Sequence, residues 1–177
     1  MDPAYSIRPA RRRELAALPE IERLAAALFG PFNLAELFAR DVISVELLQE
    51  HQRMGQVWVA AGDDDLPVGF AIVSELGGNA HLDGLNVHPD HGRRGVGTSL
   101  VKAVCAWAWS ASYHAITLST MRNVPWNAPF YEKLGFQVIR DNEITETLLE
   151  LVRVERQAGM PVSDRVLMRL DMSSSGE

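Results

Sequence analysis

One cysteine, Cys105, stands in 177 residues. That scarcity excludes an internal disulfide framework, a CxxC redox pair and a thiolate zinc site. No apolar run approaches the roughly 20 residues needed to cross a bilayer, so no transmembrane helix is expected. Residues 1–13 contain arginines but neither an apolar stretch nor a small-residue cleavage site, so no secretory signal is expected and a cytoplasmic location follows. Positive charge is also short: 17 Lys and Arg against 23 Asp and Glu leave −6 at pH 7. A nucleic-acid binder needs a basic face to neutralise phosphates, and this balance argues against one.

With 47% apolar and 23% charged residues, the chain has the composition of an ordinary globular protein, and the order of its predicted elements is that of an α/β fold. No repeat or Pro/Gly/Ser linker divides it, so residues 1–172 are expected as a single domain, with 173–177 as a flexible tail. The first extended segment ends at Pro9. Apolar spacing predicts a helix over 14–29, kinked or broken near Leu18 by Pro19 and closed by Gly30-Pro31. Residues 33–40 are ambiguous. Ser44 caps a helix that Gly55 stops. The period then changes to that of strands over 57–61, 68–74 and 80–87, joined by turns at Gly62 and at Gly77-Gly78-Asn79. A long helix follows over 95–112, with Leu100, Val101, Val104, Cys105, Ala108 and Trp109 as its apolar face. Beyond it come strands at 115–120, 136–140 and 166–172, and helices at 127–134 and 144–157. Trp107 and Trp109, two apart, face different sides, and at least one belongs to the core. An antiparallel meander followed by a βαβ-like half implies a mixed sheet covered by helices.

The most informative stretch is Val87-His88-Pro89-Asp90-His91-Gly92-Arg93-Arg94-Gly95-Val96-Gly97-Thr98. It leaves a strand and opens the longest helix. Three glycines let the backbone approach a ligand, and first-turn N–H groups with the positive end of the helix dipole form a pyrophosphate site. Arg93 and Arg94 add charge-assisted bonds to phosphate oxygens. No Lys-Ser/Thr follows the last glycine, which excludes a P-loop. The order Gly92-x-x-Gly95-x-Gly97 reverses the dinucleotide fingerprint, and no acidic residue stands at the ribose position.

Val87-x-Pro89 followed by Arg93-Arg94-Gly95-Val96-Gly97-Thr98-Ser99-Leu100 resembles motif A of the GNAT superfamily of N-acetyltransferases. Ala128-Pro129-Phe130-Tyr131-Glu132-Lys133-Leu134-Gly135-Phe136 is similar to its motif B. The likeness runs over most of the chain, about 7–172. It implies a mixed, mostly antiparallel central sheet flanked by helices and splayed at the acetyl-CoA site. It also implies acetyl-CoA as co-substrate, with no metal. The amides of Gly92, Arg93, Arg94, Gly95, Val96, Gly97 and Thr98 would bind the pyrophosphate. The backbone of Leu85, Asn86 and Val87 would pair with the pantetheine arm. Asn127 would hydrogen-bond pantetheine as well, although the family's frequent Asn lies nearer Asn123. Gly92 departs from the family's usual Gln or Arg, which loosens the cofactor grip and keeps the amide cradle.

Acetyl transfer to an amine needs a proton acceptor for an ammonium of pKa about 10.4, an oxyanion stabiliser and a proton for the thiolate. Tyr131 is the candidate acid, since the family's tyrosine sits near the CoA sulfur. His81 and Asp83, two apart on one strand and so on one face, are the candidate base. The segment 80–88 resembles the same strand of arylalkylamine N-acetyltransferases, where two histidines hold these positions and relay the amine proton. His81, Asp83 or a water chain remain alternatives. Cys105 reads as a structural thiol, and His88, His91 and His114 as turn or surface residues without metal-ligand spacing. Trp58 and Trp126 are candidates for the acceptor pocket or for packing. The reading is transfer to a primary amine of a small molecule by direct attack in a ternary complex. The match of Glu20-Ile21-Glu22-Arg23 to the arylalkylamine enzymes tilts the acceptor toward hydrophobic or aromatic amines, and Glu20, Glu22, Glu36 and Asp41 toward cationic ones. A peptide or protein acceptor and a non-catalytic acyl-CoA sensor are the alternatives. No nucleic-acid or membrane partner is expected, and a homodimer is left open.

Overall fold

The computed structural model describes residues 5–172, so the expected tail at 173–177 lies outside the described residues. Seven strands hydrogen-bond in the order β1-β2-β3-β4-β5-β7-β6. They are β1 (Ser6–Pro9), β2 (Val57–Ala61), β3 (Pro67–Leu76), β4 (Asn79–Val87), β5 (Ala115–Met121), β6 (Gln137–Val138) and β7 (Arg165–Asp171). The helices are α1 (Leu18–Ala26), α2 (Ala35–Arg40), α3 (Val45–Arg53), α4 (Val96–Ser110), α5 (Ala128–Lys133) and α6 (Glu146–Gln157). The chain groups into two compact units, one of residues up to 74 with 83–106, the other of 75–82 with residues from 107 on.

In the first unit, β1 pairs antiparallel with β2, and β2 with β3. Pro9 sits on the edge strand β1 opposite Trp58, where its missing N–H removes no interior ladder bond. Pro19 falls in the first turn of α1, a position it tolerates, so the segment 12–32 divides into a 3-10 turn, α1 and a second 3-10 turn. That second turn carries Gly30-Pro31 and stops at Asn33, whose φ is 57°. Leu15, Leu18 and Ile21 pack with Leu48 of α3 onto Val57, Val59, Phe70 and Ile72, which forms the core. Arg11, Arg12 and Arg13 are exposed at the strand-to-helix junction. Beside them, buried Glu14 accepts from Arg8 Nη1 at 2.9 Å and from the Arg11 N–H at 2.7 Å.

Helix α3 has both of its ends written in the sequence. Ser44 Oγ accepts from the Leu47 N–H at 3.2 Å. At the other end Gly55, with φ +70°, reverses the chain, so that the Gln56 N–H reaches the His51 carbonyl at 3.0 Å and the Gly55 N–H reaches Gln52. This is the Schellman stop, in which the left-handed residue satisfies the last helical carbonyls.

In the second unit, β4 pairs parallel with β5 over Ala80, His81 and Leu82 against Ile116, Thr117 and Leu118. β7 lies antiparallel between β5 and β6. Thr145 caps α6 through its hydroxyl to the Leu148 N–H at 3.3 Å, and Leu148 packs with Ile139 and Leu167. The strand expected over 136–140 is only two residues long. Gly135, at φ +96°, turns the chain into it, and Arg140 already leads a 3-10 turn; the Ile139 N–H still reaches Leu167 at 2.9 Å. The apolar face of α4 is likewise narrower than its spacing suggests. Leu100, Val101, Val104 and Ala108 are buried, while Trp109 is 52% exposed. Trp107 is half-buried against the Tyr113 ring at 5.4 Å, so neither tryptophan is a core residue.

Candidate active site

Each unit carries part of the candidate machinery. In the first, the turn between β4 and α4 has two residues in the left-handed region, Arg93 at φ 61° and Gly95 at φ 78°. Glycine adopts this conformation freely, whereas arginine is strained there, and such strain clusters at ligand-binding turns. The first helical bond of the turn runs from the Ser99 N–H to Gly95 at 3.0 Å. The amides of Val96, Gly97 and Thr98 therefore have no acceptor within the helix and gather at its positive end, whereas the Gly92 N–H, expected among the pyrophosphate donors, already donates to the Pro89 carbonyl at 3.1 Å. Val96 is buried and anchors the helix start, while Arg93, Arg94 and Gly95 are exposed. The space around Gly95 is open to 4 Å. Free amides, open backbone and two guanidinium groups suit a pyrophosphate.

Leu85, Asn86 and Val87 are half-buried on β4 ahead of this turn. Gly69 of β3 makes room for them. A Cβ there would stand 3.0 Å from the Asn86 carbonyl oxygen and 3.3 Å from Val96 Cγ1. The signal for Gly69 in the sequence is a glycine inside a strand pattern, which marks close backbone approach.

A cleft of about 480 Å3 in the same unit is lined by Glu22, Asp41, His51, Asp83, Asn86 and the apolar Val42, Ile43, Leu47 and Ile72. Its lining contains no lysine or arginine. Burial pushes the Glu22 carboxyl above its usual range, Asp41 adds to the rise, and the Ile43 N–H, which donates to it at 2.9 Å, opposes it. Asp83 reaches solvent along the cleft, yet the packing around it also raises its carboxyl; the Ser74 side chain and His51 pull the other way without cancelling that rise. His51 lies outside the sequence reading. The available signal was helical spacing, since His51 stands four residues after Leu47 on one face of a helix whose ends were legible.

In the second unit His81 is 4% exposed, and burial lowers its imidazole to about 4. With the Thr117 hydroxyl directed at the Ala80 carbonyl at 3.5 Å, His81 Nδ1–H donates to Thr117 Oγ1 at 2.8 Å. Tyr131 on α5 is buried, edge-on to the Phe130 and Phe136 rings at 5.1 and 5.6 Å. Burial raises its phenol above the ordinary value, so the hydroxyl keeps its proton at any physiological pH. Asn127 precedes α5, and its Oδ1 accepts from the Met121 N–H at 3.3 Å. Among the described residues no group of three His, Cys, Asp or Glu is placed to hold a metal, and no helix is long and apolar enough to cross a membrane. Burial raises the Cys105 thiol, which keeps it protonated.

Comparison with known proteins follows the same lines. The family model described as acetyltransferase (GNAT) family matches residues 19–136. The chain is 30% identical over 107 residues to the peptidyl-lysine N-acetyltransferase YjaB of Salmonella typhimurium, an alignment covering 57% of this chain and 63% of that protein. The chain thus spans under two thirds of that relative's length. Among solved structures, PaiA N-acetyltransferase from Thermoplasma acidophilum in complex with coenzyme A matches with TM-score 0.70 and 17% identity, covering 95% of this chain and 99% of that one. The ribosomal-protein-S18-alanine N-acetyltransferase from Escherichia coli matches with TM-score 0.67 and 19% identity, over 98% and 97%. At such identities the likeness is one of fold.

Proposed function

The chain belongs to the acetyltransferase (GNAT) family, and from that premise we propose that it moves the acetyl group of acetyl-CoA to the primary amine of a small cationic molecule. The observation that carries the acceptor class is the cleft, whose charged lining is carboxylate and whose remaining wall is largely apolar. An alkylammonium satisfies both, with its charge on Glu22, Asp41 and Asp83 and its carbon skeleton on Val42, Ile43, Leu47 and Ile72.

The proposed roles follow from the environments. Amides at the start of α4, with Arg93 and Arg94, hold the pyrophosphate, and the backbone of Leu85, Asn86 and Val87 holds the pantetheine arm and polarises the thioester carbonyl. Asp83 takes the proton from the acceptor ammonium. A carboxyl whose surroundings raise it is a better base than an ordinary one. His81 is the weaker candidate: with its imidazole near 4, holding a proton at pH 7 costs roughly 4 kcal/mol. It serves as a neutral hydrogen-bonding group. The freed amine attacks the thioester carbon, the C–S bond breaks, the second amine proton passes to the departing sulfur, and the Tyr131 hydroxyl hydrogen-bonds that sulfur. Its raised phenol favours that bond over full proton loss, because a thiol near 8.5 is the stronger acid.

A peptidyl-lysine acceptor is the second reading, favoured by the activity named for the YjaB relative, and a lysine side chain is itself an alkylammonium. The deciding experiment measures CoA release from acetyl-CoA with arylalkylamines, polyamines, aminoglycosides, amino acids and lysine peptides, using wild type and Asp83→Asn. Turnover of small amines that is lost in Asp83→Asn supports the proposal. Turnover of peptides alone moves the acceptor to protein, and acetyl-CoA binding without any turnover favours a sensor.

A further inference from the structure

We propose that a second cleft, in the unit of β5, β6 and β7, binds a small zwitterion of the amino-acid class, with its carboxylate on Arg169 and its ammonium on Glu143. The proposal stands apart from the transferase reading. This cleft shares no residue with the one lined by Glu22 and Asp83, and none with either sequence motif. Its volume of about 360 Å3 falls in the range of small-molecule sites.

The cleft exists because one face of the sheet turns from apolar to polar just where α6 begins. Residues two apart on a strand share a face, and directly paired residues point the same way. On β7 that face reads Leu167, Arg169, Asp171. Leu167 is buried and packs with Ile139 and with Leu148 of α6. The next row across the sheet is polar on all four strands, with His81 paired to Thr117, Thr117 to Arg169 and Arg169 to Gln137. Helix α6 starts only at Glu146, after its Thr145 cap, and Glu143 and Thr145 form a wall beside this row. Thr117 is the floor. It is 2% exposed, and its Oγ1 already accepts from His81 Nδ1–H at 2.8 Å.

The rim, by contrast, has polar groups to spare. Arg169 donates from Nε to Asp171 Oδ1 at 2.5 Å, its one side-chain hydrogen bond among the described residues. That contact orients the guanidinium and leaves its two Nη groups open, the fork that takes a carboxylate in two parallel bonds. The Asn79 and Gln137 amides line the cleft without a partner among the described residues. Glu143 accepts from the Arg140 N–H through one oxygen, at 3.4 Å, and keeps the other. Charge then selects the ligand. A simple carboxylate would meet Arg169 but face Glu143 and Asp171 uncompensated, and a simple amine would leave the guanidinium fork empty. A molecule carrying both charges answers each, and Leu76, Ile139 and Leu148 take its carbon side chain.

The test is titration calorimetry of the whole chain with glycine, leucine and glutamine, and with acetate and methylamine as single-charge controls. It uses wild type, Arg169→Gln and Glu143→Gln, whose replaced side chains reach solvent and leave the buried core alone. The amino acids are expected to bind at least tenfold more tightly than either control, and each substitution to weaken them about tenfold, as loss of a charged hydrogen-bond partner does. Amide NMR shifts of wild type on titration should centre on Thr117, Gln137 and Arg169, a readout that holds even if a variant folds poorly. Equal binding by wild type and both variants, controls as tight as the amino acids, or no amino-acid binding at millimolar concentrations overturns the inference. So does binding that is lost in Glu22→Gln and indifferent to Arg169→Gln, which would put the amino acid in the first cleft. None of these outcomes removes the transferase reading, which CoA release tests on other residues.

Discussion

Replacing Gly69 by alanine tests whether the packing of β3 against β4 sets the cofactor strand. The added Cβ would lie 3.0 Å from the Asn86 carbonyl oxygen, 3.3 Å from Val96 Cγ1 and 3.4 Å from Val87 Cγ2. The nearest of these atoms is backbone, which cannot rotate away as a side chain can, so β4 must yield by a few tenths of an ångström. Overpacking of this kind costs about 1–3 kcal/mol. For a chain of this length each kcal/mol lowers the melting temperature by roughly 2–4 °C, so a drop of several degrees is expected. The displaced residues are the ones proposed to hold pantetheine and to open the pyrophosphate turn. Acetyl-CoA affinity should therefore weaken by roughly three- to tenfold, a fraction of what a full 1 Å misplacement costs. Gly30→Ala is the control, since nothing lies within 4 Å of its Cβ position. The assay is thermal melting with and without acetyl-CoA, together with titration calorimetry. A Gly69→Ala protein with the melting temperature and acetyl-CoA affinity of wild type would refute the argument.

Glu14→Gln should destabilise the fold by about 1–2 kcal/mol, because Arg8 loses its bidentate partner while keeping Asp65 Oδ1 at 2.9 Å. Burial works to raise the Glu14 carboxyl, but Arg8 and the Arg11 N–H outweigh it and hold it low. The stabilisation is thus present above the unfolded value and lost as pH falls through the lowered folded one; denaturant melts whose wild-type and variant difference stayed constant down that acidic range would contradict this. Tyr131→Phe should cut kcat by about a hundredfold with acetyl-CoA binding unchanged, and turnover within twofold of wild type would remove the tyrosine as hydrogen-bond donor to the departing sulfur. Glu22→Gln should raise KM for a cationic amine by about fivefold at low salt, roughly the effect of one partly screened charge, and leave KM for acetyl-CoA alone. Equal loss for a cationic and a neutral acceptor analogue in a binding assay would show that Glu22 acts by packing instead.

What could be read from the sequence followed the range of the interactions involved. The ends of α3 are local: a serine hydroxyl three residues from its donor and a glycine that can take positive φ. The break at Pro19 and the turn before α4 are local too, each set by side chains a few residues apart. The shortened β6 was illegible because Phe136, Val138 and Ile139 suit a strand, while the turn at Arg140 depends on Glu143 reaching back to its N–H. Trp109 was misplaced because helical spacing alone does not say how wide the buried face is.

The base was harder still, because its two candidates differ in surroundings rather than in sequence. His81 and Asp83 occupy equivalent alternating positions on one strand. Burial lowers the histidine and raises the aspartate, so the same desolvation weakens one base and strengthens the other. An unperturbed imidazole would be the better proton acceptor at pH 7, and a sequence reading can assume only unperturbed groups. The environment moves the two groups in opposite directions, and the residues around them come from distant parts of the chain. Thr117 lies 36 positions from His81. His51, beside Asp83 in the cleft, comes from a helix that ends before β2 begins.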